Sequence, residues 1–165
     1  MSRAFVKEGD GEEADEPLRR APRQQPCYIT RRGYEASRVA HEALLHELGG
    51  LKLEDVPLDA RDAFRQRGQR LQALTSLLQE TVPVDPPDGP VAEVRFGATV
   101  SLVGPDGQDF ELRLVGEDEA APEQGQISWR SPLGQRLLGA RVGDEVEWQR
   151  AASVVLLEVL AVRYD

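Results

Sequence analysis

From Thr30 to about Leu48 the apolar positions return with a helical period. Tyr34, His41, Leu44, Leu45 and Leu48 fall along one face, Thr30 precedes them as a cap, and Gly49-Gly50 closes the run. A second helix is predicted from about Asp59, read as its cap, to Glu80. There Phe64, Leu71 and Leu78 stand seven apart with Leu74 and Leu77 between them. Two amphipathic helices with a short connection pair antiparallel. Pro83-Val84-Asp85-Pro86-Pro87-Asp88-Gly89-Pro90 then reads as a stiff linker and domain boundary. Beyond it the period falls to two, and Val100, Leu102, Leu112, Leu114, Ile127, Trp129, Val146, Trp148, Val155, Leu157, Val159 and Val162 are candidates for a sheet core. Gly104-Pro105-Asp106-Gly107 is a hairpin turn. Between Ile127 and Trp148 lie a strand, a short helix capped by Ser131 with Pro132 at its first position, a left-handed stop at Gly139, a turn at Arg141-Val142-Gly143-Asp144, and a second strand. The fold class is α+β.

Composition changes this picture at the N-terminus. Residues 1–27 hold Pro17, Pro22 and Pro26, two glycines, few large apolar side chains and blocks of like charge, so a disordered tail is predicted there. A helical hairpin over 28–84 and a C-terminal domain over 85–165 complete the division. Net charge is −9, but residues 28–84 carry eight acids against eight bases, and residues 85–165 alone sum to −8. Such a domain is a poor ligand for duplex DNA, whose nonspecific binding comes from lysine and arginine on phosphates. A protein partner fits better. The single cysteine, Cys27, cannot form an internal disulfide, and His41 and His46 have no cysteine nearby to make a zinc site. No apolar run approaches the roughly 20 residues of a membrane span. The N-terminus is acidic where a secretory signal would be basic and then apolar, so a cytoplasmic location is expected.

The string from Ile127 to Trp148, ISWRSPLGQRLLGARVGDEVEW, closely resembles the C-terminal domain of the bacterial GreA/GreB-type transcription elongation factors. In that family a serine-proline opens a short helix ending in Leu-Leu-Gly, and a Val-Gly-Asp turn follows. The resemblance extends to Phe96-Gly97-Ala98-Thr99-Val100, to Leu114-Val115-Gly116-Glu117-Asp118-Glu119-Ala120, and to Glu158-Val159-Leu160-Ala161-Val162-Arg163-Tyr164. It implies an antiparallel sheet around one short helix, similar to the FK506-binding immunophilin (FKBP-like) fold. The N-terminal plan is similar to the family's antiparallel coiled-coil hairpin, which begins near a Thr-x-x-Gly sequence. Here that is Thr30-Arg31-Arg32-Gly33. Two departures stand out. The hairpin is shorter by about one heptad per helix, and Leu51-Lys52-Leu53-Glu54-Asp55-Val56-Pro57-Leu58-Asp59-Ala60-Arg61-Asp62 replaces the family's Asp-x-x-Glu-Asn tip.

The resemblance implies a regulator of bacterial RNA polymerase and no enzyme in its own right: the C-terminal domain docks at the rim of the secondary channel, the hairpin enters it, and any RNA cleavage is performed by the polymerase. The implied tip acids are Glu54 and Asp55, with Asp59 and Asp62 below them. No stably bound metal or other cofactor is implied, only a magnesium ion shared with the polymerase through Glu54 and Asp55, a hard cation suited to carboxylates. Asp59 and Asp62 have a second reading, as helix cap and first-turn acid. Arg61, Arg65, Arg67 and Arg70 form a candidate basic face toward RNA or channel wall, or a solvated face balanced by neighbouring acids. Ser131, Pro132, Arg136 and Leu137 are the implied docking residues, with a second reading in which the same four simply cap and pack the helix. His41 reads as a packed seam residue and Cys27 receives no role. The protein is expected to be a monomer that meets nucleic acid only within the elongation complex and no membrane. Two alternatives remain: a regulator that occupies the channel without promoting cleavage, and an immunophilin-like peptide-binding or isomerase domain.

Overall fold

A computed structural model describes residues 25–89, 91–150 and 153–164. Residues 1–24, nearly all of the expected tail, lie outside them. Helix α1 spans Arg31–Leu48. Thr30, extended in backbone, caps it by accepting the Gly33 N–H at 3.0 Å. Helix α2 spans Arg61–Glu80. Its start differs from the sequence expectation: Asp59 is no cap but the middle of a 3-10 turn, Leu58–Ala60, and Ala60 precedes α2 with no side-chain cap. Pro57 directs this. Its carbonyl accepts the Ala60 N–H at 2.9 Å, so the backbone closes the turn and the aspartate faces solvent.

The two helices run antiparallel, since His41 meets Thr75 at 3.0 Å and Glu47 meets Arg67 at 2.8 Å. Tyr34, His41, Leu44 and Leu48 on α1 and Phe64, Leu71, Leu74 and Leu78 on α2 are half-buried. Leu45, expected in the stripe, is exposed. One step past Leu44 is about 100° around a helix of 3.6 residues per turn, which carries it off the seam. Of all residues in α1 and α2 only Leu77 is buried.

At the base of this pair the chain does something the sequence did not announce. Strand β1, Cys27–Thr30, and strand β2, Thr81–Val84, pair in parallel with Cys27 opposite Thr81 and Ile29 opposite Pro83. Cys27, assigned to the tail, is thus a buried strand residue, and Pro83-Val84, assigned to the linker, belong to β2. Proline is compatible with such a two-stranded sheet because every strand in it is an edge. Arg31 and Asp85 close the base with two bonds, 2.6 and 2.9 Å.

The C-terminal sheet orders its strands β5-β4-β3-β7-β6, from β3 (Thr99–Val103), β4 (Asp109–Val115), β5 (Gln126–Ser128), β6 (Glu145–Arg150) and β7 (Ser153–Arg163). It is mixed rather than antiparallel throughout. β4 and β5 pair in parallel, because the connection Gly116–Gly125 crosses over through two 3-10 turns before β5 begins. Turns fall where glycine was read: Gly107 and Gly143 have φ of 73° and 90°, and Asp144 N–H returns to Arg141 O at 2.9 Å. Val100, Leu102, Leu114, Val146, Leu157 and Val159 are buried as expected, joined by Val94, Ala98, Leu133 and Leu137. The short helix α3, Pro132–Leu137, lays its two leucines on this layer. Trp129 departs from the expected core and sits where β1 meets the C-terminal unit. Tyr164 ties the last strand to the segment before β3, donating to Glu93 O at 2.7 Å and accepting from the Arg95 N–H at 2.9 Å. Burial pushes its phenol above the ordinary value.

Candidate functional site

Three places carry the chemistry that the sequence singled out: the hairpin tip, the face of α3, and the junction between them. At the tip, Glu54 and Asp55 lie exposed in a 3-10 turn, Leu53–Asp55. Both are engaged locally with Lys52. Its N–H donates to Asp55 Oδ2 at 3.2 Å, and its Nζ lies 3.6 Å from Glu54 Oε1. Asp62 pairs with Arg65 at 3.4 Å one turn on, and Asp59 stands in solvent. Among the described residues no three His, Cys, Asp or Glu side chains converge as a metal site. The surrounding apolar residues are unusually open: Leu58 is 83% exposed and Leu51 51%.

The candidate basic face does not form one surface. Arg61 is half-buried and donates to Val56 O at 3.1 Å, holding the connection against the start of α2. Arg65 lies near it, whereas Arg67 and Arg70 fall roughly on the opposite side of the helix, and Arg67 reaches back to Glu47 on α1. Arg61, Arg65 and Arg67 serve different local partners.

On α3 the four docking candidates separate by depth. Ser131 caps the helix by accepting the Gly134 N–H at 3.0 Å, while Pro132 and Arg136 are exposed and Arg136 pairs with Glu147 at 2.8 Å. Leu137 is corrected. It is 0% exposed and points into the core with Leu133, because positions four apart share one helix face and that face meets the sheet. It cannot touch a partner. Gly134, which the sequence reading passed over, lets the helix lie close: a Cβ there would run into the Ser128 carbonyl.

The junction also went unassigned. Glu119 accepts from the Thr30 N–H at 2.8 Å, from the Gly116 N–H at 3.0 Å, and from the Thr30 hydroxyl. Tyr28, Phe96 and Trp129 cluster beside it with ring centroids 5.5 to 6.4 Å apart, and Arg130 stacks 4.7 Å over Trp129 while donating to Pro26 O at 3.0 Å. The Thr-x-x-Gly sequence and the Gly116–Ala120 block were the available signals.

Comparison with known proteins bears on all three places. The family model described as "Transcription elongation factor, GreA/GreB, C-term" matches residues 89–164, which include α3 and the Glu119 side of the junction. Transcription elongation factor GreA of Nautilia profundicola is 36% identical over 120 residues, covering 72% of this chain and 74% of that one. The chain belongs to the GreA/GreB family. GreA of Chloroflexus aggregans is 32% identical over 155 residues, and there the match covers 85% of this chain and 99% of its relative, so the family likeness takes in the hairpin as well as the C-terminal unit. The solved structure of GreA factor homolog 1 (Gfh1) of Thermus thermophilus aligns over 83% of this chain and 98% of that one at 26% identity, with a TM-score of 0.39. As a Gre-type transcription elongation factor, the protein has no helix among the described residues long and apolar enough to cross a membrane.

Proposed function

We propose that this Gre-type factor binds bacterial RNA polymerase through its C-terminal unit, residues 85–165, and places the hairpin of residues 28–84 in the secondary channel, where it acts mainly by occupying space. It regulates the polymerase and catalyses nothing alone. The observation that carries the docking half is the division of α3 into a buried face, Leu133 and Leu137, and an open face, Pro132 and Arg136 held in place by the Ser131 cap. The helical pair is read as a short coiled coil and the C-terminal unit as FKBP-like, working as a cytoplasmic monomer. The C-terminal charge of −8 favours a protein surface over nucleic acid.

The occupying mode is supported by the tip. Helix α1, with 18 residues, reaches about 27 Å at 1.5 Å per residue. Glu54 and Asp55 are each engaged with Lys52, and open leucines rather than a carboxylate cluster flank them. A magnesium ion held by a partner demands oxygen ligands at about 2.0 to 2.1 Å, so a tip one helical turn short contributes none.

The test is pull-down with core polymerase followed by transcript cleavage in a backtracked elongation complex. Wild type is expected to bind, to stimulate cleavage weakly or not at all, and to compete with a long-hairpin Gre factor. Pro132→Asp combined with Arg136→Glu is expected to lose binding. Robust cleavage abolished by Glu54→Ala plus Asp55→Ala would overturn the occupying mode, and full binding by the folded α3 variant would overturn the docking face.

A further inference from the structure

We infer that Glu119 is a positioning residue: it caps helix α1 from the C-terminal unit and thereby fixes the direction in which the hairpin leaves the body of the protein. Three donors converge on its carboxylate, the Thr30 N–H, the Thr30 hydroxyl and the Gly116 N–H. Thr30 is central to the arrangement. Its hydroxyl gives its one proton to Glu119 and accepts the Gly33 N–H at 3.0 Å, so the first turn of α1, the cap and the carboxylate form one continuous chain of bonds. Thr30 is 6% exposed and Gly116 is buried, so donors deprived of this acceptor would have little access to water in its place.

The electrostatics lead to the same residue. The N-terminus of a helix carries partial positive charge and favours an anion, yet α1 has no acidic residue in its first turn. Glu119, 89 positions further along the chain, supplies that charge. Two glycines make room for it. A Cβ on Gly33 would fall on the Glu119 carboxylate, and a Cβ on Gly116 would fall on the Tyr28 carbonyl, so the backbones approach more closely than any other residue allows. The aromatic cluster and the Arg130–Pro26 bond also hold β1 against the C-terminal unit. The carboxylate is directional, because each of its bonds weakens steeply as the donor angle opens.

The hairpin is a lever on this point. With α1 about 27 Å long, a 10° change at the base moves the tip by about 5 Å, roughly one helical turn. What that pointing serves rests on the proposed function, but the pointing itself is a property of the free chain.

The test therefore uses full-length protein without polymerase, measuring residual dipolar couplings of backbone amides. In wild type, residues 31–80 and 93–164 should share one alignment tensor. In Glu119→Ala, and separately in Gly33→Ala, which keeps the carboxylate but displaces it, the helical tensor should shrink or reorient while amide shifts of the C-terminal core stay in place. Glu119→Gln, which keeps one acceptor oxygen, should fall between. Wild-type tensors in both alanine variants would overturn the inference, and Gly33→Ala alone decides if Glu119→Ala disturbs the core. A role confined to stability would lower the melting temperature and leave the tensors equal, which also overturns it. Polymerase pull-down of the same variants bears only on the proposed function, so the two failures are distinguishable.

Discussion

Replacing Leu137 and Arg136 one at a time by alanine separates what α3 does for the fold from what it offers a partner. Leu137 is 0% exposed among Leu133, Val146 and Leu157. Truncating it removes about three buried carbons at roughly 0.8 kcal/mol each and leaves a cavity that this tightly seated helix cannot fill by moving, since the Ser128 carbonyl already lies against Gly134. The sum is about 3 kcal/mol, within the usual range for buried leucine. That is on the order of a hundredfold in the unfolding equilibrium. With a urea m-value of about 2 kcal/mol per molar, the midpoint should fall by about 1.5 M. Arg136→Ala loses only a pair with Glu147 whose side chains are 55% and 56% exposed, worth about 0 to 1 kcal/mol and screened by salt. Its midpoint should barely move. The assay is urea unfolding of the full chain by tryptophan fluorescence, which reports this unit because Trp148 packs against Phe110 at 6.1 Å. Equal midpoints for the two variants would refute the assignment of faces, and with it the docking surface built on Pro132 and Arg136.

Three further outcomes are expected. Thr75 donates its hydroxyl proton to Leu71 O at 2.9 Å, so the 3.0 Å bond to His41 requires the proton on Nε2; nitrogen NMR at high pH should find that tautomer, and a proton on Nδ1 would refute the seam as described. Hydrogen bonds from Arg31 and Arg163 hold the carboxyls of Asp85 and Glu111 below their ordinary values; because the folded value is the lower one, their stabilisation is complete above the ordinary carboxylate range and is lost as pH falls through the lowered value. Carboxyl carbon titration should show Asp85 returning to normal in Arg31→Ala, and an unchanged curve would count against the pair. Amide exchange should be fastest in the connection 49–60, slower in α1 and α2, and slowest in β3, β4 and β7, because the helices bury only Leu77 whereas those strands hold the core; uniform protection would contradict this.

What was legible in the sequence was local. Thr30 and Ser131 mark helix starts through bonds that span three residues, Pro132 through a ring that suits the first helical position, and Gly107, Gly139 and Gly143 mark turns and a helix stop through a backbone angle that other residues resist, so all of these could be read in place. The parallel pairing of β1 with β2 could not, because four-residue strands have too little period to declare themselves and the partners lie about fifty positions apart. Asp59 was misread because Pro57 closes the turn through the backbone. Leu137 was left between docking and packing for a related reason: the motif named the helix, but which face meets the sheet is set by packing. Glu119 was quoted as part of a block and given no role, since its meaning appears only when residue 30 is brought beside it.

The seam of the hairpin adds a constraint that ties these parts together. His41 and Thr75 place a polar pair among Tyr34, Leu44, Leu71 and Leu78, where an all-apolar seam would be more stable. Their bond exists in one register, and sliding either helix along the other costs the half-buried His41 ring this partner, at about 1 to 3 kcal/mol, while Thr75 keeps its bond to Leu71 O. Register is set at the base by the β1–β2 ladder, which runs directly into α1 and out of α2. Farther along the seam one buried leucine and an exposed Glu47–Arg67 pair exert only weak control. The polar pair thus carries the base register toward the loop that holds Glu54 and Asp55, as the bonds of Glu119 set its direction. A hairpin too thin for a core of its own can still present a tip at a defined place, provided that direction is fixed at the base and height along the seam.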